Sequence, residues 1–230
     1  MGINTGILNE NEIIEKLNNK KLSNLNSNMQ SFVNFLFSNV NNHTITCQKI
    51  TGSPKGDIAI SIGTNSKNIS LKVGKGCSIH QESFYDFRDE FLSAHNASSS
   101  VINGLEQFIV HLGKNEYRDF FAKNARLKQE IQNFLDSQKR TILERFLKFG
   151  RSNSNSADVI YYGTYKEGHW MNIDDFITTV MSSTNSSFFH IGGITLQAYC
   201  RDCSTKTSNE KNDLQSKIDF QKIGWSLITF

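Results

Sequence analysis

Residues 57–74 read DIAISIGTNSKNISLKVG, and this stretch decides the fold of the middle of the chain. Apolar side chains alternate with small or polar ones in both halves, which is typical of half-buried β-strands. The isoleucines of residues 58–62 share one face of the first half, and the apolar residues of 69–73 share one face of the second. Thr64-Asn65 is the most turn-like pair between the halves, so the pattern predicts an antiparallel hairpin.

The predicted turn sets the register of this hairpin. Folding at Thr64-Asn65 pairs three sets of residues: Gly63 with Ser66, Ala59 with Ser70, and Asp57 with Lys72. Directly opposed residues of an antiparallel pair point to the same face. This register therefore buries the apolar side chains on one face and places Asp57 beside Lys72 on the other, and a slip of one residue would destroy both arrangements.

An acid beside a lysine suits metal-assisted hydrolysis of a phosphodiester. The carboxylate of Asp57 would hold a divalent cation, which polarises the phosphate and lowers the pKa of bound water. Magnesium prefers oxygen ligands with one or two carboxylates. The Lys72 ammonium would orient the attacking water or stabilise developing charge. Ser70, two residues before Lys72, cannot supply a second acid, and the next acid downstream is Glu82, at the start of a predicted helix.

Gly56-Asp57 followed by Ile69-Ser-Leu-Lys72 resembles the PD-(D/E)xK nuclease superfamily, which includes many restriction endonucleases. The pattern of that family is an acid that opens one strand and E-x-K or D-x-K on the next. Gly56 replaces the proline of the pattern and Ser70 replaces its second acid. The second departure resembles members that carry S-x-K because their acid has moved to the following helix. The resemblance covers residues 50–89.

The resemblance implies a site and a fold. Asp57 and Glu82 would hold Mg2+, or Mn2+ in its place, with the Leu71 carbonyl as a further ligand. Lys72 would serve the attacking water, and Gln81 would contact phosphate or water. The implied fold is mixed α/β, with a mixed central β-sheet flanked by helices. The implied activity is that of a type II restriction endonuclease on double-stranded DNA, acting as a homodimer because symmetric sites are cut by two-fold dimers.

Other interpretations of these residues remain open. Taken singly, Asp57 is typical of a turn, Lys72 of a solvated strand face, and Glu82 of the first turn of a helix. On the same core, a junction-resolving or repair nuclease is the alternative enzyme, and a DNA-binding module without catalysis is the alternative outside enzymes. A structural protein that binds no nucleic acid is a further alternative. A four-ligand zinc site would combine Cys77-Ser-Ile-His80 with Cys200-Arg-Asp-Cys203. The alternative interpretation is that all four cysteines are free thiols.

Helical patterns precede and follow the hairpin, and short strands occupy the C-terminal part. We expect a first helix capped by Asn9. The other predicted helices cover residues 29–39, 81–95, 101–112, 116–149 and 172–181, and the other predicted strands cover residues 44–50, 159–162, 188–191, 194–199 and 218–223. Residues 1–150 would form the nuclease core with a helical extension. Residues 151–230 would form a strand-rich part of the same domain, for DNA readout or dimer contact.

The net charge of +3 over 230 residues is too small to identify a partner. Residues 114–151, however, hold ten basic and five acidic residues. A helix with such a face would follow a phosphate backbone, with Arg118, Lys123 and Arg126 as candidate DNA contacts, or would be the solvated side of an amphipathic helix. We expect neither a membrane span, since no apolar run reaches about 18 residues, nor a signal peptide. The four cysteines then suggest reduced thiols in a cytoplasmic protein.

Overall fold

The computed structural model describes residues 5–38, 40, 43–52, 55–75, 77–112, 116–151, 156–199 and 213–220. The chain divides into two compact units, each assembled from separate stretches. The first unit comprises Met1–Cys77, Glu144–Thr179 and Asp219–Phe230, and the second comprises Ser78–Leu143 and Val180–Ile218.

The described residues form α-helices and β-strands in alternating groups. The helices are α1 (Thr5–Leu17), α2 (Ser27–Leu36), α3 (Phe84–Phe87), α4 (Ser99–Glu106), α5 (Glu116–Lys123), α6 (Ala125–Ser137), α7 (Lys139–Leu143) and α8 (Ile173–Ser182). The strands are β1 (Lys20–Lys21), β2 (Thr44–Lys49), β3 (Ile58–Ile62), β4 (Asn65–Lys72), β5 (Cys77–Ser83), β6 (Val159–Gly163), β7 (Gly168–Asn172), β8 (Phe189–Ile191), β9 (Ile194–Tyr199) and β10 (Asp213–Ile218). A 3-10 turn covers Leu22–Asn24, and π-helical segments over Arg88–Leu92, Gln107–His111 and Glu144–Phe149 extend α3, α4 and α7.

The first unit is built on a six-stranded sheet with the order β1-β2-β3-β4-β6-β7. All neighbouring strands are antiparallel except β4 and β6, which run parallel with Ile69 opposite Val159. A parallel pair requires a crossover connection, and here the whole of residues 73–158 lies between the two strands. The mixed central sheet confirms the predicted fold class.

Helices α1 and α2 cover one face of this sheet. They pack their apolar side chains on those of β3, β4 and β6, and Phe32 of α2 lies 4.7 Å from Tyr161, centroid to centroid. The opposite face carries Asp57, Ser70 and Lys72 at its β3–β4 end. On that face Phe220 stacks on Tyr162 and Phe176 of α8 stacks on Phe220. The second face therefore carries an aromatic stack in one part and the polar cluster at its β3–β4 end.

The second unit contains a four-stranded sheet with the order β5-β10-β9-β8. Strand β9 is antiparallel to both β8 and β10. Helices α4 and α6 pack closely at Gly104, where an added Cβ would lie 2.7 Å from Ile131 Cδ1 and the Ile131 side chain would have to move. An aromatic cluster around Phe108, Phe121 and Phe189 fills the core of this unit.

The register of the hairpin differs from the prediction by two residues. The turn lies at Gly63-Thr64, so Ile58 pairs with Ile69 and Ala59 with Asn68, and the predicted pairs Gly63–Ser66, Ala59–Ser70 and Asp57–Lys72 are wrong. Gly63 has a φ of +59°, which a two-residue hairpin turn needs at its first position and glycine adopts without strain. A shift of two residues preserves the facing of every side chain, and the apolar face is buried as predicted.

Three predictions about helices are wrong, one about continuity and two about where a helix begins. The predicted helix over 116–149 is interrupted at Asn124 and Gln138, where Asn124 has left the helical region and its side-chain amide donates to the Phe120 carbonyl at 2.8 Å. The predicted helix over 81–95 begins only at Phe84. Asn9 lies inside α1, which begins at Thr5, and its amide donates to the Gly163 carbonyl at 2.9 Å.

The remaining strand predictions give a mixed result. The strands predicted over 44–50, 159–162, 188–191 and 194–199 and the helix over 172–181 are confirmed. The predicted strand over 218–223 is wrong within the described residues, because β10 covers Asp213–Ile218 and ends where that prediction begins. Strand β7, which the sequence analysis did not predict, pairs with β6.

Candidate functional site

Asp57 and Lys72 lie at the same end of the β3–β4 hairpin, on the polar face of the sheet. Asp57 directly precedes β3, and its backbone N–H donates to the Ile69 carbonyl at 2.8 Å. Lys72 is the last residue of β4. A Cβ on Gly56 would lie 2.9 Å from both Asn68 Cβ and Ile50 Cδ1, so the close packing before Asp57 explains glycine at this position.

The Asp57 carboxylate is anchored through one of its two oxygens. Its Oδ2 accepts from the Leu71 backbone N–H at 2.6 Å, from Lys72 Nζ at 3.2 Å and from Ser70 Oγ at 3.4 Å. Among the described residues, Oδ1 has no hydrogen-bond partner. The carboxylate is therefore held in place while one oxygen keeps its capacity to bind a cation.

The Lys72 ammonium contacts two oxygens at once. Nζ donates to the Leu71 carbonyl at 2.8 Å as well as to Asp57 Oδ2. The side chains of Lys72 and Asp57 are 16% and 28% exposed, so the pair faces solvent at one side only. The structure brings together three of the residues predicted for the site, Asp57, Leu71 and Lys72, in one unit of the chain.

The oxygens of this cluster fit a hard divalent cation. Asp57 Oδ1, Asp57 Oδ2 and the Leu71 carbonyl are the kinds of ligand that magnesium prefers, and magnesium keeps several waters with one or two carboxylates. In the part of the chain that the structure describes, no group of three or more His, Cys, Asp and Glu side chains lies close enough to hold a metal.

Glu82 and Gln81 belong to the second unit. Glu82 lies on β5, not on the following helix as predicted, because the helix begins after Ser83, whose Oγ accepts from the Tyr85 N–H. Glu82 is only 3% exposed, and its Oε1 lies 2.8 Å from His80 Nε2. Gln81 donates to Asp213 Oδ2 at 2.8 Å. The meeting of Asp57 and Glu82 at one cation, and the contact of Gln81 with phosphate or water, stay predictions.

Two residues make contacts near the cluster that the sequence did not predict. Ser70 is 5% exposed, and its hydroxyl lies against the Asp57 carboxylate in the position of the missing acid. Tyr162 lies opposite Lys72 in the parallel β4–β6 register, and its hydroxyl donates to the Gly74 carbonyl at 3.2 Å. Burial raises the pKa of Tyr162, with smaller contributions from Cys77 and Asp219. The local sequence around Tyr162 could not predict its position beside Lys72, because that position depends on the pairing of β4 with β6 across residues 73–158.

The thiol of Cys77 bears on the alternative zinc site. Cys77 Sγ donates to the carbonyls of Val73 and Gly74, each at 2.9 Å. Burial raises the pKa of Cys77, although the nearby Lys72 charge opposes this. Zinc would bind Cys77 as the thiolate, so zinc binding would replace both of these hydrogen bonds. Cys200 and Cys203 lie outside the described residues, so the four-ligand site stays an alternative.

The three basic residues predicted to contact DNA are exposed on the second unit. Arg118 and Lys123 belong to α5 and Arg126 to α6. The Arg118 guanidinium lies 5.8 Å from the Tyr117 ring centroid, and both residues line a cavity of about 550 Å3. Elsewhere in the basic stretch, Lys148 Nζ lies 2.8 Å from both oxygens of Asp174, so its charge is already paired.

Comparison with solved structures identifies the fold, a mixed central sheet flanked by helices, as restriction-endonuclease-like. Restriction endonuclease MspI in complex with its cognate DNA matches with a TM-score of 0.63 and 14% sequence identity, over 92% of this chain and 88% of that chain. At this identity the likeness establishes the fold.

Comparisons based on the sequence found no match: no protein-family model matches the chain, and no curated protein matches it. Across the described ranges, none of the helices combines the length and the apolar character needed to cross a membrane.

Proposed function

We propose that the protein is a Mg2+-dependent endonuclease that hydrolyses phosphodiester bonds of double-stranded DNA, and that it is a type II restriction endonuclease. One observation carries this proposal: Asp57 Oδ2 lies 3.2 Å from Lys72 Nζ at the end of two adjacent strands of a restriction-endonuclease-like sheet. The fold neighbour was solved with its cognate DNA, which supports DNA as the substrate class.

In the proposed site, Asp57 and the Leu71 carbonyl hold the cation, and Glu82 completes the carboxylate pair. Bound Mg2+ or Mn2+ would supply polarisation of the phosphate and a lowered pKa of water. The Leu71 N–H bond to Asp57 keeps the carboxylate oriented. Lys72 positions the attacking water or stabilises the charge that develops on the phosphate, and Gln81 contributes a polar contact to phosphate or water.

The direct test incubates the purified chain with supercoiled plasmid DNA and Mg2+. We expect cleavage into discrete fragments, which disappears when EDTA removes the cation and returns when Mn2+ replaces Mg2+. Branched DNA substrates should be cut no faster than linear duplex, because a preference for branched DNA would favour a junction-resolving or repair nuclease on the same core.

A DNA-binding module without catalysis is the second candidate, and Ser70 favours it. The serine lies where the family pattern has an acid, so Asp57 is the one carboxylate in contact with Lys72 among the described residues of the first unit. Tight duplex binding in Ca2+ without cleavage in Mg2+ or Mn2+ would support this candidate and reject the nuclease.

We expect Glu82→Gln to lower both Mn2+ affinity and cleavage by at least about tenfold, because the loss of a carboxylate ligand costs at least as much as the loss of an outer-shell partner. The amide keeps a hydrogen-bonding atom at the position of Oε1, 2.8 Å from His80, so the melting temperature should change little. A variant that melts earlier but cuts normally per folded molecule would reassign Glu82 to a structural pair with His80.

Replacement of Arg118, Lys123 and Arg126 by alanine should weaken DNA binding without changing its sequence preference. Contacts from these exposed cations to phosphates release counterions, so each loss should reduce the slope of log K against log salt by about 1. Binding by the cleavage-deficient Asp57→Asn variant, measured by fluorescence anisotropy at several salt concentrations, provides the slope. Lys148→Ala is the control, because Lys148 is already paired with Asp174. An unchanged slope in the triple variant would remove α5 and α6 from the DNA interface.

The same proposal includes a homodimer, since duplex DNA with symmetric sites presents two equivalent strands. It also places the protein in the cytoplasm. Sedimentation equilibrium of the purified chain, alone and with a duplex, would establish the number of copies.

A further inference from the structure

We propose that the Lys72 ammonium and the divalent cation compete for the same two oxygens, so that the cation binds by displacing Lys72 from them. This goes one step beyond the proposed function and rests on it, because it takes Asp57 and Leu71 as cation ligands. The consequence is that Lys72 becomes available to the attacking water only when the cation has taken its place.

The contacts of Lys72 carry this inference. Nζ lies 2.8 Å from the Leu71 carbonyl oxygen and 3.2 Å from Asp57 Oδ2. These are the two groups of the first unit that would ligate the cation. The Lys72 side chain is 16% exposed, so its ammonium is held at this point by the surrounding chain and by both oxygens.

A divalent cation at these oxygens would lie close to the ammonium. Magnesium approaches its oxygen ligands to about 2.0–2.1 Å, and Nζ lies 2.8 Å and 3.2 Å from the same two atoms. Each oxygen has a second lone pair, but the two positive charges would repel each other strongly in a partly buried site. This repulsion favours departure of the ammonium from at least one of the two oxygens when the cation binds.

The carboxylate stays in place when Lys72 leaves. Asp57 Oδ2 keeps its 2.6 Å hydrogen bond from the Leu71 N–H, a backbone group fixed by the strand. Asp57 Oδ1 has no hydrogen-bond partner in the described ranges. Displacement of the ammonium from both oxygens thus costs the site the ion pair with Asp57 and the hydrogen bond to Leu71, without releasing the carboxylate.

The experiment titrates Mn2+ into the full chain without DNA and follows free Mn2+ by its electron paramagnetic resonance signal. We expect Lys72→Met to bind Mn2+ about tenfold more tightly than wild type, equivalent to about 1.4 kcal/mol. Lys67→Met is the matched control, because it removes the same charge from the same strand while the Lys67 ammonium lies beside Asp158, at 4.0 Å. It should leave the affinity unchanged. Asp57→Asn should abolish this binding.

The outcomes separate the inference from the proposed function. Equal or weaker Mn2+ binding by Lys72→Met, with wild-type binding that still depends on Asp57, overturns the competition and leaves the nuclease proposal intact. Wild-type protein without any Asp57-dependent Mn2+ binding overturns both. Lys72→Gln repeats the test with a second neutral side chain. Melting curves show which of the two variants is folded. If one substitution prevents folding, the Mn2+ affinity of the other variant still tests the competition.

Discussion

Asp57→Asn is expected to reduce plasmid cleavage by more than about 100-fold, because even outer-shell partners of a catalytic metal are worth about 10- to 100-fold. The substitution keeps the size of the side chain and an oxygen for the Leu71 N–H, which now lies 2.6 Å from Oδ2. It removes the negative charge that holds the cation and that pairs with Lys72. Initial rates of plasmid cleavage in Mg2+ provide the measurement, with melting curves to confirm folding.

A second aspartate of the first unit provides the control for this result. Asp158 accepts from the Asn68 backbone N–H at 2.8 Å, as Asp57 accepts from that of Leu71, and both donors belong to β4. Asp158→Asn should therefore perturb the strand to a similar degree and leave cleavage per folded molecule near wild type. Equal losses in the two variants would assign both carboxylates to the sheet and would reject Asp57 as a metal ligand.

The facing of the hairpin could be predicted from the sequence, and its register could not. Alternation in residues 57–74 determines which side chains share a face, and this property survives a shift by two residues. The turn position depended on choosing between neighbouring turn-like pairs. Glycine at position 63, with its φ of +59°, decided that choice in favour of Gly63-Thr64.

The proximity of Asp57 and Lys72 could be predicted from the sequence, but the backbone contacts around them could not. Asp57 and Lys72 could be identified because the sequence gives their residue types and its alternation places both on the polar face of the hairpin. The Leu71 N–H that anchors Asp57 and the Leu71 carbonyl that binds Lys72 belong to the main chain, which every residue carries. Such contacts follow from the register, so they became visible only with the fold.

Long-range pairing accounts for the other differences. Strand β4 lies beside β6 across residues 73–158, and that pairing alone places Tyr162 next to Lys72. Glu82 lies on a strand that pairs with β10, more than 130 residues further along the chain, although its local pattern favours the start of a helix. Local periodicity contains no information about partners at such separations, and tertiary pairing overrides weak helix signals.

Lys72→Met is expected to reduce cleavage by about 100- to 10,000-fold, the usual contribution of a group that transfers or positions a proton. The methionine fills the same space but can neither orient the attacking water nor stabilise charge on the phosphate. Plasmid cleavage at saturating Mn2+ measures this effect apart from metal affinity, because every variant is then loaded with cation. Lys67→Met again removes a charge from β4 and should cut at nearly the wild-type rate.

Lys72→Met is informative because its Mn2+ affinity is expected to rise while its cleavage rate is expected to fall. A lysine that only neutralised Asp57 would, when removed, leave cleavage at saturating Mn2+ unchanged or faster, because the cation would bind without competition. A lysine that only held the metal site together would weaken Mn2+ binding and cleavage in parallel. Tighter Mn2+ binding combined with cleavage at least about 100-fold slower is compatible with neither. That combination would mean that the ammonium yields its two oxygens, Asp57 Oδ2 and the Leu71 carbonyl, to the cation and then acts on the water.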